Sequence, residues 1–128
     1  ISNWISYYGV CDIGPRISDR DLKGNTPWDG FDVLWNTSPI KYADQAVTPT
    51  LFINSDADYR CYISEGMQMY TALAVRGIPT RLCLFHGENH SLSRTGKPRN
   101  RMRRLKEIND WLFKYIGQEE TDSEKETN

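Results

Sequence analysis

Two short polar segments of this chain contain residues that could act together as an acid and a base. The first segment, Asn54–Arg60, contains Asp58, and the second segment, His86–Ser91, contains His90. An aspartate that orients a histidine base makes up two thirds of a Ser-His-Asp triad, which catalyses acyl transfer through a nucleophilic serine. On residue types alone, Asp58 could also be a carboxylate that caps its loop, and His90 a hydrogen-bonded polar group at a helix start. The two residues are candidates for nucleophilic catalysis if the fold brings them together.

The elements that must bring them together are two strands and the helix between them. Thr50–Ile53 and Thr80–Phe85 have the composition of buried strands, and each leads directly into one of the polar segments. The intervening apolar residues recur at helical spacing, and Gly77 and Pro79 end that helix at about Arg76. A strand–helix–strand unit of this length predicts parallel strands, so both loops leave the same edge of the sheet. That edge is where open α/β sheets hold their catalytic groups.

The rest of the chain predicts two further helices and one further strand. Residues 1–10 contain a strand that ends near Tyr8, and a short helix follows around Asp29–Asn36. A final helix is predicted over Arg99–Ile116, after a loop from Leu92 to Pro98. Its apolar stripe, of the kind that packs on a core, consists of Met102, Leu105, Ile108, Leu112 and Tyr115 or Ile116. The fold class is thus α/β, with about three parallel strands and flanking helices.

Large aromatic residues are expected to anchor the irregular segment between the first strand and Thr48. Trp28, Phe31 and Trp35 are predicted to do so by burial, because aromatic side chains dominate core energetics. At the other end of the chain, Gln118–Asn128 is polar and mostly acidic, and no structure is predicted there.

Composition excludes several classes of function. The 128 residues are 38% hydrophobic with a net charge of −1, which fits one small domain, or part of a larger one, and gives no reason to expect nucleic acid or membrane as partner. No cofactor is predicted. The three cysteines have no recognisable spacing, which predicts free thiols and a cytoplasmic location. The chain begins with Ile1 instead of an initiator methionine, and its first residues are already strand-like, so we expect a fragment of a longer protein.

Six short motifs follow one another along the chain: Asn3–Ser6, Trp35–Ile40, Thr48–Leu51, Asp58–Arg60, Gly87–His90 and Gly96–Arg99. In this order and spacing they resemble the carboxyl-terminal part of the prolyl oligopeptidase family of serine peptidases, and most closely its acylaminoacyl-peptidase-like branch. The resemblance implies that residues 1–117 form the carboxyl-terminal part of an α/β-hydrolase catalytic domain, with 118–128 as an acidic tail. It also implies hydrolysis of peptides.

The family order of the triad is Ser, Asp, His, which implies that Asp58 is the acid and His90 the base. Asp56 is the alternative acid and His86 the alternative base. The nucleophile is expected in a Gly-x-Ser-x-Gly elbow, and no serine of this chain has that context. The half of the domain that contains the nucleophile is therefore expected to be missing here, so that the chain supplies Asp58 and His90 and is inactive alone.

Other functions remain open at this point. The chain could be a non-enzymatic α/β interaction module, and a gene without an upstream serine elbow would indicate that. A metal site at His86–His90 with Cys83 is a weaker alternative, because the cysteine pair of the zinc deaminase signature is missing.

Two surfaces of the chain suggest partners. The first strand would lack its neighbour, so self-association through its edge, or pairing with the missing amino-terminal part, is predicted. The bases of Lys97–Lys106 are either a solvated helix face or a surface that binds acidic groups, such as a second domain or the tail.

Overall fold

The computed structural model describes residues 28–36 and 38–116. In chain order it contains α1 (Phe31–Asn36), a 3₁₀ helix (Pro39–Gln45), β1 (Thr50–Ser55), α2 (Ile63–Ala74), β2 (Thr80–Phe85), α3 (Leu92–Thr95) and α4 (Pro98–Ile116). The predicted first strand near Tyr8 and the predicted tail Gln118–Asn128 lie outside the described residues. None of the helices within the described ranges combines the length and apolar content needed to cross a bilayer.

β1 and β2 form a two-stranded parallel sheet, as the strand–helix–strand pattern predicts. Their register pairs Thr50 with Thr80 at one end and Ser55 with Phe85 at the other. Because the strands are parallel, the connection must return along the sheet, and α2 provides it. Both carboxyl ends therefore lie at one edge, from which the two polar loops leave.

The α2 helix ends at Ala74, two residues before the predicted end at Arg76, and Gly77 terminates it as predicted. Gly77 has a φ of +76°, a left-handed conformation that glycine adopts without steric cost. Its N–H donates to the Ala74 carbonyl at 2.9 Å, and the Ile78 N–H donates to the Leu73 carbonyl at 3.1 Å. Leu73 is fully buried, and Tyr70 meets Phe52 of β1 edge to face, with ring centroids 6.3 Å apart.

The buried apolar residues of the described part form a small core: Leu34, Ala43, Leu73, Phe85 and Leu92. The prediction that three aromatic residues anchor the first helical segment by burial is wrong, because Trp28, Phe31 and Trp35 are all exposed. α1 instead points Leu34 inward, and its carbonyl accepts a hydrogen bond from the buried Ser38 hydroxyl at 2.7 Å.

The final helix has the predicted extent, but its apolar stripe mostly faces outward. The exposed fractions are 72% for Met102, 62% for Leu105, 46% for Leu112 and 65% for Ile116. The prediction that this stripe packs on a core is therefore wrong for these four residues within the described part of the chain.

A buried carboxylate explains which side of α4 faces the sheet. Glu107 is buried, and its Oε2 lies 3.0 Å from the Arg81 guanidinium of β2, while Oε1 accepts from Arg103 Nε at 2.6 Å. A buried charge requires such partners, so the side of the helix that faces the sheet carries Glu107 together with the half-buried Ile108, Trp111 and Tyr115. Two basic residues of Lys97–Lys106 form ion pairs within the helix: Arg103 binds Glu107, and Lys106 binds the exposed Asp110.

The segment from Leu92 to Pro98, predicted to be a loop, contains one helical turn, α3. The Ser91 carbonyl accepts from the N–H groups of Arg94 and Thr95, both at 2.9 Å, which closes the turn. Leu92 is buried beneath it. Burial of this one side chain selects a compact turn that the polar sequence around it does not indicate.

The contact between α2 and β1 yields a stability prediction. A Cβ on Gly66 would lie 2.0 Å from the Asn54 Oδ1 atom, so glycine permits the close approach of helix and strand. We expect Gly66→Ala to lower the free energy of unfolding by about 1–3 kcal/mol through overpacking. The double variant Asn54→Ala/Gly66→Ala should recover most of the loss in urea denaturation. A Gly66→Ala protein as stable as the parent would contradict this packing.

Candidate active site

The loop after β1 presents Asp58 through hydrogen bonds to its own backbone. Asp58 Oδ1 accepts from the N–H groups of Arg60 at 3.0 Å and Cys61 at 2.9 Å, and the Asp58 N–H donates to the Ser55 carbonyl at 3.2 Å. Aspartate favours such turns because its short side chain reaches the N–H groups two and three residues later. The side chain is only 12% exposed, and its second oxygen, Oδ2, is left for another partner.

That partner is His90, in the loop after β2. His90 Nδ1 lies 3.0 Å from Asp58 Oδ2, which confirms the prediction that the two side chains lie within hydrogen-bond reach at one edge of the sheet. An ionised carboxylate only accepts, so Nδ1 carries the proton and, in the neutral ring, Nε2 is the basic nitrogen. The ring is 37% exposed. The arrangement can therefore take a proton from a group placed against Nε2.

The alternative acid and the alternative base bind each other. His86 Nδ1 lies 2.8 Å from Asp56 Oδ2, and Asp56 Oδ1 accepts from the Gly87 N–H at 2.7 Å. The hydrogen bond from His86, followed by that from Gly87, holds the pKa of Asp56 below its ordinary value. The structure thus contains two Asp–His pairs side by side rather than one acid with two possible bases.

Burial distinguishes the two pairs. The side chains of His86 and Asp56 are 87% and 38% exposed, against 37% and 12% for His90 and Asp58. A triad acid is buried and hydrogen-bonded to the imidazole that it orients, since its charge must act on the imidazolium with little screening by water. Asp58–His90 is the pair with this environment.

Glu88 ties the loop of His90 to the start of α4, a role that its position in the sequence does not reveal. Its side chain is buried, and Oε1 accepts from the Lys97 N–H at 3.1 Å and from the Asn100 amide at 2.6 Å. A carboxylate is favoured there because the first N–H groups of a helix lack intrahelical partners. A Cβ on Gly96 would lie 2.8 Å from Glu88 Oε2, so glycine leaves room for the buried carboxylate.

The described residues do not gather around a metal ion. Each imidazole uses Nδ1 for its own aspartate, and no three His, Cys, Asp or Glu residues within the described ranges are placed to hold an ion.

A parallel strand–helix–strand unit, with an aspartate after the first strand and a hydrogen-bonded histidine after the second, defines part of an α/β-hydrolase fold. The chain belongs to the prolyl oligopeptidase family of serine peptidases, whose family model matches residues 1–119. This confirms the family and the fold class indicated by the sequence motifs.

Similar proteins include the uncharacterized peptidase YuxL of Bacillus subtilis, which is 40% identical over 116 residues, and dipeptidyl-peptidase 5 of Schizosaccharomyces pombe, which is 37% identical over 92 residues. The matches cover 91% and 72% of this chain, but only 18% and 13% of those proteins. An acylaminoacyl peptidase structure from Pyrococcus horikoshii superposes with a TM-score of 0.75 at 31% identity, covering 89% of this chain and 18% of that one. The chain thus spans less than one fifth of the length of these relatives.

The buried Glu88 leads to a prediction about stability. Glu88→Ala leaves the Lys97 N–H and the Asn100 amide without their acceptor, and we expect a loss of about 1–3 kcal/mol in the free energy of unfolding. Glu88→Gln keeps an acceptor oxygen and should lose less. Urea denaturation of both variants measures the difference, with Asn100→Ala as a second test of the same contact. Equal stability of Glu88→Ala and the parent would rule out the tie.

Proposed function

We propose that this chain supplies the acid and the base of a Ser-Asp-His triad in a longer serine peptidase. The observation that carries the proposal is the 3.0 Å contact between Asp58 Oδ2 and His90 Nδ1, made by loops at the carboxyl ends of neighbouring parallel strands. Membership of the prolyl oligopeptidase family supports the same reaction class.

In this mechanism His90 moves the protons and Asp58 keeps the ring in place. Nε2 takes the proton of a serine hydroxyl as the serine attacks the peptide carbonyl, and later gives that proton to the leaving amine. Asp58 holds the proton on Nδ1 and stabilises the imidazolium that forms between these steps. The serine and the oxyanion donor that follows it belong to a preceding part of the protein, because the chain has no Gly-x-Ser-x-Gly elbow.

The proposed substrates are oligopeptides or acylated peptides. Relatives are described as a dipeptidyl-peptidase and as an acylaminoacyl peptidase, which supports a peptide substrate. The competing proposal, a non-enzymatic module, requires that the Asp58–His90 pair serve only to cap a loop. A serine elbow in the sequence upstream of Ile1 would favour the peptidase. The predicted cytoplasmic location stays a prediction.

Substitutions in the intact protein test the triad. We expect Asp58→Asn to lower kcat by about 10⁴-fold, because the neutral amide no longer favours the required tautomer, and His90→Ala to lower it by at least as much. Fluorophosphonate should label a serine outside this chain in the parent, label it much more slowly in His90→Ala, and leave the chain alone unlabelled.

Two matched variants complete this test. Asp110→Asn removes an exposed carboxylate that pairs only with Lys106 in the described part, and should keep full turnover. The activity of His86→Ala should be at least about 100-fold higher than that of His90→Ala, because the His86 ring is mostly in solvent. Full activity of His90→Ala, or labelling of a serine within the chain, would reject the proposal.

We further propose that the preceding part of the same protein covers the outer side of α4. Five apolar side chains of this helix are exposed: Phe113, and four that follow one another at spacings of three, seven and four residues, Met102, Leu105, Leu112 and Ile116. Several exposed apolar side chains on one side of a helix favour a contact surface. The chain spans less than one fifth of its relatives, so most of the surface available to cover the patch lies elsewhere in the protein. Self-association through the first strand stays a prediction.

Oxidative footprinting tests this cover. Hydroxyl radicals should modify Met102 and Phe113 of α4 much more slowly in the intact protein than in the separate chain, by about tenfold or more. Met67 on α2 is the matched control, since it is also exposed and should react at similar rates in both. Protection that depends on protein concentration would indicate a second copy instead, and unprotected Met102 in the intact protein would refute the cover.

A further inference from the structure

We propose that Asp56 is a positioning residue for His90, acting through Gly87. This inference rests on the proposed peptidase function and adds to it a residue that does not touch the reacting atoms. The motive is the second Asp–His pair, whose aspartate binds the turn three residues before the catalytic base.

The backbone brings Asp56 to that turn. The strand register ends with Ser55 opposite Phe85, and the Asp56 N–H continues the ladder by donating to the Phe85 carbonyl at 3.2 Å. The next link is the Ala57 N–H, which donates to the Glu88 carbonyl at 3.1 Å. These two backbone hydrogen bonds hold the two loops side by side beyond the strand ends, and they place Asp56 next to the turn.

The carboxylate of Asp56 then fixes the conformation of the turn. Gly87 has a φ of +67°, and its N–H donates to Asp56 Oδ1 at 2.7 Å. Asp56 Oδ2 binds His86 Nδ1 at 2.8 Å, so one carboxylate holds two consecutive residues of the loop that carries His90. Without this hydrogen bond, Gly87 could leave the conformation, because glycine adopts positive and negative φ about equally readily. The hydrogen bond to Asp56 therefore restricts the backbone of Gly87.

The two contacts of the Asp56 carboxylate, with Gly87 and His86, persist at the pH at which a histidine base works. The hydrogen bonds from His86 and Gly87 lower the pKa of Asp56, so the carboxylate remains ionised in neutral and mildly acidic solution. The Lys97 ammonium lies beside Gly87, since a Cβ there would be 3.3 Å from Nζ, and it adds a positive charge to the same surface.

The two aspartates need different properties, and this difference makes the proposal testable. Asp56 needs an acceptor atom for the Gly87 N–H, which an asparagine also offers. Asp58 needs a negative charge against the imidazolium, which an asparagine cannot offer. Substitution by asparagine should therefore be tolerated at position 56 and not at position 58.

The experiment compares Asp56→Ala, Asp56→Asn and Asp58→Asn in the intact protein by steady-state peptide hydrolysis. We expect Asp56→Ala to lower kcat by about 10–100-fold, with KM within about twofold, because a misplaced base slows chemistry without weakening substrate binding. Asp56→Asn should stay within about threefold of the parent, and Asp58→Asn should lose about 10⁴-fold. Circular dichroism checks folding, and Asp56→Ser, whose hydroxyl is too short to reach Gly87, replaces an alanine variant that does not fold.

Three results separate the possible failures. Parent-like kcat in Asp56→Ala, or in Asp56→Ser if the alanine variant does not fold, with Asp58→Asn inactive, would overturn the positioning role and leave the triad standing. A 10⁴-fold loss in Asp56→Asn would overturn it too, since it would make Asp56 the acid. Full activity of Asp58→Asn and His90→Ala would refute the proposed function itself.

Discussion

The parallel register of β1 and β2 is the constraint on which the rest of the structure depends. Six consecutive residue pairs fix the strands, and two backbone hydrogen bonds, from Asp56 and Ala57, carry the pairing into the loops. Side chains on those loops then meet in an order set by the backbone, with Asp56 against His86 and Asp58 against His90. The main-chain hydrogen bonds set which loop residues face each other, and the side-chain contacts of Asp56 and Asp58 then complete the proposed catalytic geometry.

The elements around the site could be predicted because each has a strong local signal. Alternation between apolar strands and polar loops identifies β1 and β2, and Gly77 marks the end of α2. Parallel pairing follows from the length of the crossover, and the meeting of Asp58 with His90 follows from parallel pairing. The first predicted strand, near Tyr8, lies outside the described residues.

The orientation of α4 could not be predicted in this way. Helical periodicity identifies an apolar side of the helix, but it does not identify what that side contacts. Here Glu107 and Arg81 form an ion pair, which turns the Glu107 side of the helix toward β2 and leaves Met102 and Leu105 outside. The pairing joins residues from different elements, and nothing in either local sequence indicates it.

The second Asp–His pair was hidden for a different reason. Treated as alternatives to the proposed catalytic pair, Asp56 and His86 compete with Asp58 and His90. Extending the strand register by one position past Ser55 and Phe85 places them opposite each other instead. The role of Glu88 was not predicted because its partners, Lys97 just before α4 and Asn100 in its first turn, follow an intervening helical turn.

The corner at Gly77, between α2 and β2, contributes little to the placement of Asp58 and His90. The acid and the base are held by the sheet edge, whereas Gly77 turns in open space, with nothing within 4 Å of where its Cβ would lie. Insertions at this corner would lengthen the return path without altering the register. Among homologues, drift in length is therefore expected to accumulate at this corner, far from the chemistry, while the spacing within each loop stays invariant.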